Sequence, residues 1–283
     1  MTTERTARLR QAPRSASYSA LRGGFLRSSP DVEVDAKGYV ADATLNLIAG
    51  VQLSDFEADV RKGNGNEMGG KFRAVHSSTA LAVNSFGPFK RHLDALSLLD
   101  KTGFSSLHFE RKCPHGVGQG NPPNLDVLAA SPDQVIAVES KCTEYFTRHV
   151  AEFRPAYDAD IRDERRDSPW FRMMCRLTEN PNAFRRLNAA QLVKHAFGLA
   201  HTFSGHRVIL LYVFWEPTNP EAFQVFSEHR TEIDRFAEQV SGGNPSFASI
   251  SYPELWERWK QPGSPEWLHA HVARLRKRYL ISM

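Results

Sequence analysis

The 283-residue sequence predicts an α/β domain, because stretches of strand length alternate with longer amphipathic stretches of helical period. Three stretches carry the prediction. Residues 125–130 and 135–138 are short apolar runs separated by Ser131-Pro132-Asp133-Gln134, a type I turn with Pro at its second position, so together they read as a β-hairpin. Residues 207–215 (RVILLYVFW) have the length and β-branched content of a buried central strand. Residues 187–202 and 221–240 have the apolar spacing of helices.

In chain order, residues 1–30 hold Arg5, Arg8, Arg10, Arg14, Arg22 and Arg27 against Glu4 alone, a net of +5, without apolar periodicity. This predicts a disordered basic tail. An organelle transit peptide shares the composition, and an arm that binds phosphate is a further reading. Residues 31–283 read as a single α/β domain with a helical C-terminal extension. Within it, residues 42–58 look helical with a break at Gly50. Gly65 to Lys71 fits the first seven positions of a phosphate-binding G-x-x-x-x-G-K loop, but Phe72 stands where that loop needs a hydroxyl, which argues against a P-loop. Ser77 and Ser78 are good N-caps for a helix through 79–84 that Gly87-Pro88 ends, and residues 89–99 repeat the helical spacing.

Residues 107–111 alternate like a strand, and the Gly- and Pro-rich residues 113–123 form a loop leading to the hairpin. Residues 145–186 carry nine arginines among seven acids, the pattern of a solvated face with ion pairs; Tyr145, Phe146, Trp170 and Phe171 read as core. The apolar residues of 187–202 cover most of that helix and leave Gln191, His195 and Gly198 as a narrow stripe. After the 207–215 strand and the 221–240 helix come an edge strand at 247–252, a short helix from Tyr252 and a final helix at 266–279, whose basic end suits the helix dipole.

Composition bounds the function. No apolar run approaches the ~20 residues that cross a bilayer, so no membrane partner is expected. Cys113, Cys142 and Cys175 make no C-x-x-C pair and no disulfide framework, which suits a reducing, cytoplasmic setting. Cys113 and His115 lack a second ligand pair at finger-like spacing, so zinc is not expected. The formal charge of +4 invites a nucleic-acid partner, but the first 30 residues supply +5 of it and leave −1 for the rest. No G-x-S-x-G elbow is present for a serine hydrolase.

The hairpin carries the chemistry. A turn centred between Pro132 and Asp133 sets Asp126 opposite Glu139 and Asn124 opposite Lys141. Opposed residues share a face with Cβ atoms roughly 5 Å apart, and Glu139 and Lys141 share it too because side chains alternate. Two carboxylates so close require a shared proton or a bound cation. Two oxygen ligands plus waters suit Mg²⁺, and Lys141 stands where it orients or deprotonates one of those waters.

Asp126 followed by Glu139-Ser140-Lys141 resembles the PD-(D/E)XK nuclease superfamily, with one departure: Pro123 lies three residues before Asp126 instead of adjoining it. The resemblance implies a restriction-endonuclease-like fold, a central mixed β-sheet flanked by helices, with helical additions here. It implies a Mg²⁺-dependent nuclease, with Mn²⁺ as an alternative, acting on nucleic acid and on DNA before RNA. Asp126 and Glu139 would hold the metal with the Ser140 carbonyl as an extra ligand, and Lys141 would serve the attacking water. An acidic residue from an early helix joins the metal site in many members, and Glu67 is its counterpart here. In the branch similar to RecB-type exonucleases, Q-x-x-x-Y follows on a later helix; Gln191 matches its Gln, and His195 stands at the Tyr position. The reading allows a homodimer. The alternative is a degenerate nuclease-fold module that binds nucleic acid or a protein partner without cutting.

Overall fold

The computed structural model describes residues 13–62, 68–115, 122–155, 157 and 167–283. Five strands form one sheet: β1 (Ser106–Lys112), β2 (Asn124–Ala130), β3 (Gln134–Lys141), β4 (Arg207–Phe214) and β5 (Ser246–Ser251), in that spatial order. β1–β2 and β2–β3 pair antiparallel, whereas β3–β4 and β4–β5 pair parallel, so the sheet is mixed. The difference follows from the connections. The four-residue turn between β2 and β3 permits only a hairpin, while β4 and β5 are reached through helical crossovers. β3 is buried along its length until Lys141, as a strand covered on both faces must be.

The hairpin register is Val127↔Val138 through Ala130↔Val135, closed by the Ser131 N–H donating to the Gln134 carbonyl at 2.8 Å. Continued by one residue, it sets Asp126 opposite Glu139, but the paired ladder ends at Val127↔Val138.

Among the described residues the helices are, in chain order, α1 (Pro13–Ser28), α2 (Glu57–Lys62), α3 (Ser78–Phe86), α4 (Pro169–Glu179), α5 (Ala189–Thr202), α6 (Gln224–Gln239), α7 (Tyr252–Arg258) and α8 (Glu266–Tyr279). α3 packs on β2 and β3, and α5 packs on β4. Their contacts with β3 reach alternate residues, which puts them on opposite faces: α3 meets Ser140, and α5 meets Glu139 and Lys141. One hydrophobic core runs from Leu21 in α1 to Ile281 beyond α8. Among the described residues no helix is long and apolar enough to cross a membrane.

Three expectations are corrected. Residues 13–28 are not a disordered tail: α1 packs along α8, burying Ser17, Leu21, Gly24 and Phe25, with the Arg278 guanidinium 4.4 Å from the Phe25 ring centre. The buried positions do follow a helical period, but two of the four are Ser and Gly, so the stripe is not apolar in the sequence. Residues 1–12 lie outside the described set.

Residues 42–58 form no long helix. Short 3₁₀ turns at Ala43–Asn46 and Leu53–Asp55 precede α2. The Asn46 side-chain amide bonds the carbonyls of Phe72 and Ala74, and Gly50 takes a left-handed φ of 96°, so the chain is tied sideways instead of coiling onward. Residues 89–99 likewise hold only 3₁₀ turns, Gly87–Lys90 and Leu93–Ala95, because Lys90 and Arg91 are drawn to Asp59 and Asp55.

Candidate active site

The site is built where the β2–β3 ladder stops. The Asp126 carboxylate reaches across and accepts the Ser140 N–H at 2.7 Å, replacing the backbone bond the next ladder rung would have made. Glu139 is 1% exposed. The Lys141 ammonium pairs with its Oε1, and His195 Nε2 lies 2.9 Å from its Oε2. The latter contact is close but misaligned, so Glu139 Oε2 and His195 Nε2 are both buried without a hydrogen bond. Lys141 also donates to Gln191 Oε1 at 3.1 Å, and Asn188 donates to the same oxygen at 3.2 Å while its own side chain caps α5 through Gln191 N–H. Gln191 and His195 are four residues apart on α5, one helical turn, so both meet β3 from above.

The structure thus brings together Asp126, Glu139, Lys141 and Gln191. The Ser140 hydroxyl faces away, bonding the Tyr252 hydroxyl at 2.7 Å and the Ser78 carbonyl at 3.3 Å. Its carbonyl is a separate matter: β4 takes the carbonyls of Asp133 and Lys141, so alternation aims that of Ser140 toward β2, where the ladder has ended. Glu67 lies in residues 63–67, outside the described set.

Two contributors lie outside the predicted site set of Asp126, Glu139, Ser140, Lys141, Gln191 and Glu67. His195 completes the contact around Glu139, and its polar stripe position was the signal. Glu110 is the second. The β1–β2 register Phe109↔Val127 and Arg111↔Leu125 sets it across from Asp126, so Glu110, Asp126 and Glu139 form a row over three strands. Glu110 is buried, accepts from the Asn124 side chain at 2.9 Å, and takes a left-handed φ of 49° that costs a non-glycine residue about 1 kcal/mol or more. Nothing local predicts that alignment, since the loop joining β1 to β2 is too long to set a register.

The electrostatics follow from burial and this row. Burial raises the Asp126 carboxyl well above the ordinary carboxylate value, and the charges of Glu139 and Glu110 raise it further; Lys141 and the Ser140 N–H offset this only in part. Burial also opposes the charge on Glu139, but Lys141 and then His195 overcome it and hold Glu139 down at about 2. Burial favours a neutral Lys141, yet the carboxylates of Glu139, Glu144 and Asp126 push it above the ordinary lysine value. At neutral pH Glu139 is therefore an anion and Lys141 a cation, while burial and the neighbouring charges favour the protonated form of Asp126.

The donor set fits a hard divalent cation. Asp126 is a buried carboxyl whose charged form an added positive charge would favour, and Glu139 Oε2 is a buried oxygen without a hydrogen bond. Among the described residues no three His, Cys, Asp or Glu side chains form a ready-made metal cage, Cys113 and His115 included. One or two carboxylates with water completing the shell is an arrangement that Mg²⁺ accepts.

A family model described as restriction endonuclease associating with ARP matches residues 28–280 of the chain. No curated protein and no solved structure matches it.

Proposed function

The chain belongs to the family of restriction endonucleases associating with ARP, and on that premise we propose that it is a Mg²⁺-dependent nuclease of the PD-(D/E)XK type that hydrolyses phosphodiester bonds of DNA. The observation that carries the reading is the opposition of Asp126 and Glu139 on neighbouring strands, with Lys141 between Glu139 and Gln191. Asp126 and Glu139 would hold the cation, Mn²⁺ substituting for Mg²⁺, with the Ser140 carbonyl as a further oxygen. When bound, the cation supplies Lewis-acid polarisation of the phosphate and compensates charge on the leaving oxygen.

The remaining work falls to the chain. In the metal-free protein Lys141 is held protonated by its carboxylate neighbours. Its ammonium positions the attacking water and stabilises charge on the phosphoryl oxygens as the new P–O bond forms and the bond to the leaving oxygen breaks. Gln191 fixes the ammonium, and the water's proton leaves to solvent.

A second reading is a non-catalytic module, favoured by one observation: both Glu139 oxygens are already approached by cationic or imidazole nitrogens. Plasmid cleavage in Mg²⁺, Mn²⁺ and EDTA separates the two. The nuclease reading expects metal-dependent nicking or linearisation that disappears in Glu139→Ala and Lys141→Ala proteins whose circular dichroism is unchanged. Cleavage that persists in those variants rejects this site; binding without cleavage in either metal favours the module.

A further inference from the structure

A cavity of about 370 Å³ lies on the α3 side of the sheet, just past the end of β3. It is walled by Arg14 from α1, Lys71 and His76 from the segment before α3, Ser78 and Thr79 at the start of α3, and Thr143 beyond Lys141. Neither Arg14 nor Lys71 has a carboxylate partner among the described residues; Arg14 instead holds the Tyr18 hydroxyl at 3.0 Å. Among the described residues Glu144 is the single acid in the wall, and its Oε2 is turned to the N–H groups of Cys142 and Thr143 at 2.7 and 2.9 Å.

Two further facts point to an anionic occupant with several oxygens. Thr143 is only 5% exposed, yet among the described residues its hydroxyl has no hydrogen-bond partner. At the start of α3, the Ser77 hydroxyl takes the Ala80 N–H and the Ser77 carbonyl takes the Leu81 N–H, which leaves the N–H groups of Ser78 and Thr79 without intrahelical acceptors. Cations, free amides and a hydroxyl around one half-open space make the donor set of a phosphoryl group. Lys71 thus enters a phosphate cradle without a P-loop: the hydroxyls that position 72 lacks come from the start of α3 and from Thr143.

The geometry points to this cavity as a phosphate-binding pocket that takes a backbone or terminal phosphate of the nucleic acid cut at the neighbouring site. Ser78 contacts Ser140, the residue between Glu139 and Lys141, and Thr143 is two residues beyond Lys141, so the pocket and the carboxylates flank one strand end. The source of the phosphate rests on the nuclease reading; the pocket itself does not.

The test uses the full chain in EDTA, where cleavage plays no part. Anisotropy of a labelled DNA duplex, with and without 5′-phosphates, is followed against salt for wild type, Lys71→Ala, Arg14→Ala and Arg207→Ala. The last removes an exposed charge at the far end of the sheet. Lys71→Ala and Arg14→Ala each weaken binding on the order of tenfold at low salt and make the salt slope shallower by about one, whereas Arg207→Ala does neither. Loss only with 5′-phosphorylated duplex assigns a terminal phosphate; loss with both assigns an internal one. In parallel, the ³¹P line of inorganic phosphate broadens with wild type and not with Lys71→Ala. Phosphate broadening without duplex binding keeps the pocket and overturns the nuclease reading. Duplex binding that is unchanged in both variants, or weakened equally by Arg207→Ala, overturns the pocket and leaves the nuclease reading standing.

Discussion

Replacing Glu139 by Gln tests whether the site is held by charge. Glu139 titrates at about 2 in place of the ordinary 4.5 because Lys141 and His195 outweigh the cost of burial. At 1.36 kcal/mol per unit, that depression is worth roughly 3 kcal/mol of folding stability at neutral pH. The sign follows from the direction: a depressed carboxylate contributes fully above its unfolded value of 4.5 and loses the contribution as pH falls from there toward about 2. Metal-free urea unfolding of wild type and Glu139→Gln should therefore differ by roughly 3 kcal/mol at pH 7, by about half that at pH 3, and by little near pH 2. The same substitution in a Lys141→Met background should cost much less, because the charge it answers is gone. A difference under about 1 kcal/mol at pH 7, or one that does not shrink with acid, would refute the electrostatic account of the pair.

Asp126 should behave in the opposite sense. Its raised carboxyl favours the protonated form, so its contribution is present below 3.8 and is lost as pH rises through the elevated value. Asp126→Asn should then stabilise the metal-free protein at neutral pH, by about 1 kcal/mol, while isothermal calorimetry shows Mg²⁺ binding weakened; a less stable variant contradicts this. Gln191→Ala removes one acceptor of the Lys141 ammonium, so stability should fall by only about 1 kcal/mol while kcat for DNA cleavage falls about tenfold; unchanged kcat would exclude Gln191 from the site. Gly198→Ala should destabilise by about 2 kcal/mol or more, read by thermal melting, since a Cβ there would sit 2.3 Å from the Cys113 carbonyl.

What could be read without coordinates was what is local. Pro132 and Asp133 set a tight turn, the turn set the hairpin register, and the register brings Asp126 level with Glu139. The polar stripe on α5 was legible for the same reason, because a helical period says which residues share a face. Gly198 belongs to that stripe for a different cause, as the place where α5 meets the Cys113 backbone. Pairings between distant segments left no such trace. Glu110 joins the carboxylate row through a register that the long loop after β1 does not dictate. Helix α1 was hidden because Ser17 and Gly24 fill half of its buried face. The basic end of α8 reads from the sequence as suited to the helix dipole, yet Arg278 is fully buried between Asn46 and Phe25.

The bond from the Ser140 N–H to Asp126 gives the backbone a spectroscopic handle on the site. An amide proton held by a carboxylate resonates at a different field from one held by a carboxylic acid, and it exchanges with solvent at a different rate. Because that single peptide group is tied to Asp126 instead of to a neighbouring strand, its ¹⁵N–¹H cross-peak follows the carboxyl through acid titration and through metal addition. Occupancy of the carboxylate row can in this way be watched at one main-chain position, in the intact protein, with no substrate and no turnover.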